Sequence, residues 1–221
     1  MVFPSPNPVW IVELGKLILM FLIGGILLFR WYRAEVRFYT DIPFLFGIAM
    51  FFAGAAEGID FFIDSGLAES LLGLITYTLP LYQIRVSLTV ITLTLWLAAS
   101  VLIWTTDRKI TGYAITLIYA IATLAAIWFS PTIEIVRFAL LPFLAIAFFV
   151  FIITFMLAWY WKRLPDVNGL IMSIGAIIAL AGQVLKNPLD AMGIIWVSEL
   201  IDLIGIIILT AGLLIKPHYS R

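Results

Sequence analysis

The sequence predicts an all-α integral membrane protein. The expected form is a seven-transmembrane helix bundle in one domain, N-terminus outside and C-terminus cytoplasmic, with a short interfacial or re-entrant helix between spans 2 and 3. Three observations carry that expectation. Of 221 residues, 64% are hydrophobic and 12% charged, where soluble domains carry about a quarter charged residues. The apolar residues gather into runs near the roughly 20 residues that one helical crossing needs. The basic residues between those runs alternate from dense to sparse along the chain, which is the pattern of the positive-inside rule.

The runs define spans at about 9-31, 43-63, 85-104, 110-129, 137-161, 168-186 and 193-215. The first has no positive charge before it and no small-residue cleavage site after it, so it reads as a retained span rather than a signal peptide. The connections after spans one, three and five hold Arg30, Arg33 and Arg37, then Arg108 and Lys109, then Lys162 and Arg163, and the tail adds Lys216 and Arg221. The opposite side has Arg85, Arg137 and Lys186, with Lys16 inside the first span. This asymmetry faces the basic side to the cytoplasm.

The stretch from Gly66 to Tyr82 is apolar apart from Glu69. As an eighth span it would carry Arg108, Lys109, Lys162 and Lys216 outside, against the charge bias. It is therefore expected as an amphipathic or re-entrant helix over the outer mouth, ended by Pro80. Trp31 and Tyr32, Trp104, Trp128, and Trp159 to Trp161 fall where membrane interfaces should lie. A faint echo, Glu13-x-x-Lys16 against Glu134-x-x-Arg137 and Gly47-x-x-Met50 against Gly169-x-x-Met172, is what a three-plus-one-plus-three parallel repeat would leave.

Thirteen basic and thirteen acidic residues cancel, so no nucleic-acid partner is implied. With no cysteine, and with His218 as the single histidine, thiolate chemistry, iron–sulfur ligation, bis-histidine haem and imidazole-rich zinc sites drop out. No glycine-flanked serine of the hydrolase type is present. No lysine precedes Lys216 in the last span, which argues against covalently attached retinal. No cofactor and no enzyme activity are expected.

What remains is an unusual set of charges inside the apolar runs. Carboxylates in hydrocarbon are costly unless paired, hydrated or protonated, so they mark candidate functional sites. Glu57, Asp60 and Asp64 share one helix face through spacings of three and four. Glu199 and Asp202 repeat that spacing in the last span. Given the topology, Glu13, Lys16, Glu57, Asp60, Arg85, Gln183, Lys186, Glu199 and Asp202 all fall in the outer half of the bundle. All nine are candidate ligand- or ion-binding residues; the structural alternative makes Glu13 and Lys16 a snorkelling interfacial pair, and Arg85, Arg137 and Lys186 solvated span-end anchors. Arg85, Thr89, Thr92 and Trp96 line one face of span three, and Thr116, Tyr119 and Thr123 one face of span four, with the threonines expected to bond back to their own helices. Gly54-x-x-x-Gly58 and the Gly/Ala stripe of span six predict close helix packing.

These groups can exchange protons, hold a cation, or pair with bases and only balance charge. The first expectation is a small transporter or channel of the cell membrane, with an outward acidic vestibule for a cation, proton or small protonated solute. The alternatives are a seven-span sensor that signals through a separate cytoplasmic partner, its own loops being short, and an accessory subunit of a membrane complex.

Overall fold

The computed structural model describes residues 9–73, 77–105 and 108–217; His218 and Arg221 lie outside the described residues. Eight helices follow one another: α1 (Val9–Tyr32), α2 (Ile42–Asp64), α3 (Leu67–Leu72), α4 (Leu79–Trp104), α5 (Lys109–Trp128), α6 (Ile133–Tyr160), α7 (Gly169–Ala191) and α8 (Ile195–Leu214). Seven of them are long and apolar enough to cross a membrane, and α3 is not. The chain is a multi-pass membrane protein. The face holding the N-terminal ends of α1, α4, α6 and α8 is called the upper face below.

The helix ends differ from the expected boundaries where proline is involved. Pro80 does not end an interfacial helix; it sits in the first turn of α4, which starts six residues before the expected span. The first turn lacks intrahelical acceptors for its N–H groups, so proline loses nothing there and its fixed φ suits the helix. What remains between spans 2 and 3 is the six-residue α3, flanked by Gly66 and Gly73 in the left-handed region. Pro142 and Pro188 lie inside α6 and α7, and α7 runs five residues past Lys186, its expected end. Thr132 caps α6, its hydroxyl accepting the Ile135 N–H at 3.3 Å, which starts that helix four residues early.

The long helices close a ring. α1 packs on α2, α2 on α4, α4 on α6, α6 on α7, α7 on α8, and α8 returns to α1, while α5 sits outside against α4 and α6. Hydrocarbon offers no hydrophobic drive to bring helices together, so close backbone approach and cross-helix hydrogen bonds must do it. The tightest seam is α7–α8. A Cβ on Gly182 would come within 2.8 Å of the Asp202 backbone nitrogen, one on Gly212 within 2.6 Å of the Met172 nitrogen, and one on Gly175 would strike the nitrogen of Leu209. The α1–α2 seam is similar, with a Cβ on Gly24 meeting the Gly47 carbonyl at 3.0 Å and Gly54 lying against Met20 and Phe21. Cross-helix bonds add to these: Thr92 Oγ1 to Ala49 O at 3.2 Å, Ser173 Oγ to Ile152 O at 3.1 Å, and Arg30 to Leu213 O at 2.9 Å.

The lower half of the ring is filled by rings. Phe46 stacks on Trp96, and Phe148, Phe151 and Phe155 crowd around the pair with centroids 4.6–6.2 Å apart. Aromatic contacts of this kind add specificity beyond area. The upper half carries the charges.

Candidate functional site

Two layers of ionisable groups lie below the upper face, and their register follows from helix geometry. Glu13, Asp60 and Glu199 each sit four residues inside their helix ends, and Lys16, Glu57 and Asp202 each sit seven residues inside. At a rise of 1.5 Å per residue these levels are roughly 6 and 10 Å deep. Asp202 is thus shallower than the midplane. Because i and i+3 share a helix face, each of α1, α2 and α8 turns both of its groups inward together, and the six residues are 7% exposed or less.

Lys16 is the centre of the deeper layer. Its Nζ lies 2.9 Å from Glu57 Oε1, 2.8 Å from Glu199 Oε2 and 2.7 Å from Asp202 Oδ2, with the side chain 1% exposed. This corrects the snorkelling pair: the lysine turns away from the interface and from Glu13, because three carboxylates attract it more than headgroups do. Carboxylate oxygens of Glu57, Glu199 and Asp202 fall within 4.8 Å of one another, close enough to hold a metal ion. The Lys16 ammonium contacts all three, so the place a cation would take holds a tethered one.

Two more cations flank this centre. Lys186 reaches Glu199 Oε1 at 2.6 Å, and Arg85 forms a bidentate pair with Asp60, Nε to Oδ1 at 2.9 Å and Nη2 to Oδ2 at 2.5 Å. Both are buried more deeply than a solvated anchor would be, although Lys186 keeps a third of its side chain exposed. The bidentate fork is the strong form of such a contact. Tyr77, from the connection before α4, donates its hydroxyl to Asp60 Oδ1. Burial, then the Asp60 carboxylate, hold the Tyr77 phenol well above its ordinary pKa. Arg137 is an exposed anchor, its guanidinium over the Tyr82 ring. Asp64 shares the α2 stripe in sequence but lies exposed at the rim, near Glu13.

Macrodipoles favour half of this arrangement. Glu199 lies near the positive N-terminal end of α8, and Lys186 near the negative C-terminal end of α7. Glu57 and Asp60 stand toward the C-terminal end of α2, where negative charge is unfavourable, and each is matched by a cation from another helix. The inner network then contains four carboxylates, Glu57, Asp60, Glu199 and Asp202, against three cations, Lys16, Arg85 and Lys186. With all seven ionised, one negative charge is left over. Two buried carboxylate oxygens have no hydrogen-bond partner, Glu13 Oε2 at the edge and Glu57 Oε2 within the network; Glu57 gives its Oε1 to Lys16, and of the two residues it is the one that lines the cavity beneath.

Beneath the network is a cavity of about 90 Å³. Arg85, Glu57, Asp202 and Gln183 line its upper part, Thr89 and Thr92 its flank, and Met20, Met50, Leu93 and Ile206 its wall, down to Phe148 and Trp96. The face Arg85, Thr89, Thr92 and Trp96 read from spacing is therefore cavity-facing as a unit. Thr89 bonds back to Arg85 O at 3.4 Å, and Thr92 shares its one hydroxyl hydrogen between Leu88 O at 3.1 Å and Ala49 O at 3.2 Å, which leaves the wall with few free donors. Trp96 Nε1 is one: it is buried without a partner.

The structure gathers Glu57, Asp60, Glu199, Asp202, Lys16, Arg85 and Lys186 into one network, with Gln183 on the cavity below and Glu13 at its edge. Tyr77 was not among the residues singled out from sequence, and nothing in the apolar stretch around it marks it. Comparison with protein-family models, with curated proteins and with solved structures finds no match.

Proposed function

We propose that this chain is a small carrier of the cell membrane that accepts a proton, a small cation or a small protonated solute into the cavity from the upper face. The basic residues crowd the lower connections, and the positive-inside rule turns the upper face outward. The observation that carries the reading is the surplus carboxylate: Glu57 Oε2 is buried, unpartnered, and borne by a residue lining a cavity. An uncompensated carboxylate in a dry setting is expensive, and a proton or cation relieves that cost. Balancing charge alone would have been met by equal numbers of acids and bases. The seven groups of the network pair with one another inside one chain, which counts against the subunit reading.

A second reading has one observation in its favour. The aromatic cluster of Phe46, Trp96, Phe148, Phe151 and Phe155 fills the bundle below the cavity, which suits a sensor that binds from outside without passage. Flux into proteoliposomes separates the two. A carrier gives cation- or proton-linked uptake in the wild type that falls at least about tenfold, 1.4 kcal/mol in a binding step, in Asp60→Asn and Asp202→Asn. Binding without uptake favours the sensor. Neither binding nor uptake in the folded wild type contradicts both.

A further inference from the structure

The cavity has a polarity gradient along its length, and that gradient describes a ligand. Glu57, Arg85 and Asp202 stand six or seven residues inside their helix ends, whereas Trp96 stands seventeen residues inside α4. The lining therefore covers roughly 15 Å of helix height at 1.5 Å per residue. The upper end is charged, the middle is methionine and aliphatic, and the bottom is aromatic with an N–H.

Two buried polar atoms on this lining lack partners, one at each end: the acceptor Glu57 Oε2 and the donor Trp96 Nε1. Glu57 is 7% exposed and Trp96 6%. An orphaned buried donor costs about 1–3 kcal/mol, and a charged acceptor more. We infer that the cavity takes an amphipathic primary amine: its ammonium on Glu57 Oε2, its short apolar body along Met20, Met50, Leu93 and Ile206, and a hydrogen-bond acceptor at the far end on Trp96 Nε1. This rests on the reading of the site as cation-accepting and names the class of cation.

Competing ligands use less of the site. A proton satisfies Glu57 but leaves the apolar wall and the indole N–H without a role. A hard divalent ion seeks six or more oxygens, as calcium does, and meets Lys16 already among the three clustered carboxylates. An organic anion finds each of Lys16, Arg85 and Lys186 engaged by a carboxylate. An ammonium on Glu57 Oε2 also brings the seven-group network to neutrality.

Calorimetric titration of the full chain in nanodiscs, corrected with empty nanodiscs for lipid partitioning, tests this with aminopentanol, pentylamine and pentanoate. Aminopentanol should bind about tenfold more tightly than pentylamine, the worth of one hydrogen bond, and pentanoate should not bind. Glu57→Gln should weaken both amines at least about tenfold. Trp96→Phe should bring aminopentanol to the pentylamine level and leave pentylamine unchanged, a split that loss of packing does not produce. Should Glu57→Gln fail to fold, Ala53→Phe, which fills the cavity and spares the ion pairs, must abolish amine binding. Equal binding of pentanoate and pentylamine, or amine binding unchanged by Glu57→Gln or by Ala53→Phe, overturns the inference. If no amine binds while the wild type still moves protons or inorganic cations, this inference fails and the carrier reading stands. Loss of both overturns both.

Discussion

Lys16 holds three carboxylates apart from one another's repulsion, so the first test is to remove its charge. Lys16→Met keeps most of the volume and leaves Glu57, Glu199 and Asp202 facing each other; the expected loss is about 3–5 kcal/mol, the range for breaking a buried pair from one side. Thermal unfolding in detergent reads it, and adding Asp202→Asn should restore part of the loss. A melting temperature unchanged by Lys16→Met would mean that the ammonium does not sit among those acids. Tyr77 gives a pH test. Its raised pKa means that the folded state holds the phenolic proton more tightly, so this stabilisation is complete below about pH 10, the unfolded value, and is lost as pH rises through the folded one. Near neutral pH it is constant. In the alkaline absorbance titration of the folded protein, Tyr77→Phe should therefore remove no phenolate signal around pH 11; a lost signal there would place Tyr77 in water. At this scale the sequence was informative wherever one helix carried the whole pattern. The pairs Glu57 with Asp60 and Glu199 with Asp202, and the face from Arg85 to Trp96, followed from spacing alone. Lys16 was misread because a neighbour three residues away, Glu13, offered a local partner. Its contact with Glu199 spans 183 positions, and no local rule reports on that.

Helix boundaries and seams belong to the next scale. Glycines sort into two kinds that a substitution distinguishes. Gly175→Ala drives a methyl group into the Leu209 backbone of α8, and no side-chain rotation relieves a backbone clash. A cost of about 2 kcal/mol or more is expected, with the α7–α8 seam forced open beside Asp202. Gly25→Ala meets nothing within 4 Å and should be neutral or stabilising by up to about 1 kcal/mol through helix propensity. Equal effects of the two on thermal unfolding would contradict the seam. The small-residue stripe was readable from the sequence as close packing, but not its partner. The helix ends were less readable. Pro80 is expected from sequence to end a helix, and the structure uses it to begin one; Pro188, two residues past the expected end of span six, lies inside α7. A proline reports that a turn of helix lacks a hydrogen bond, not which side of the proline the helix lies on. The repeat echo is matched in burial by half: Gly47 and Met50 are buried as Gly169 and Met172 are, whereas Glu13 and Lys16 are buried and Glu134 and Arg137 exposed.

Across the whole molecule, seven crossings were legible because hydrocarbon thickness sets the length of an apolar run, whereas ring order was not, because every lipid-facing surface looks alike in sequence. Orientation remains a prediction from charge. The chain has no cysteine, so single cysteines report cleanly: Pro131→Cys on the upper face should react with an impermeant maleimide in intact cells, and Glu35→Cys on the lower should not. The reverse would turn the cavity toward the cytoplasm. The most direct test of the central claim, that a buried surplus carboxylate accepts a cation from the upper face, is charge displacement recorded from proteoliposomes adsorbed on a supported membrane. On addition of pentylamine or a proton step, the wild type and Gly25→Ala should give a transient current that Glu57→Gln lacks. The same current in a folded Glu57→Gln variant would contradict the account.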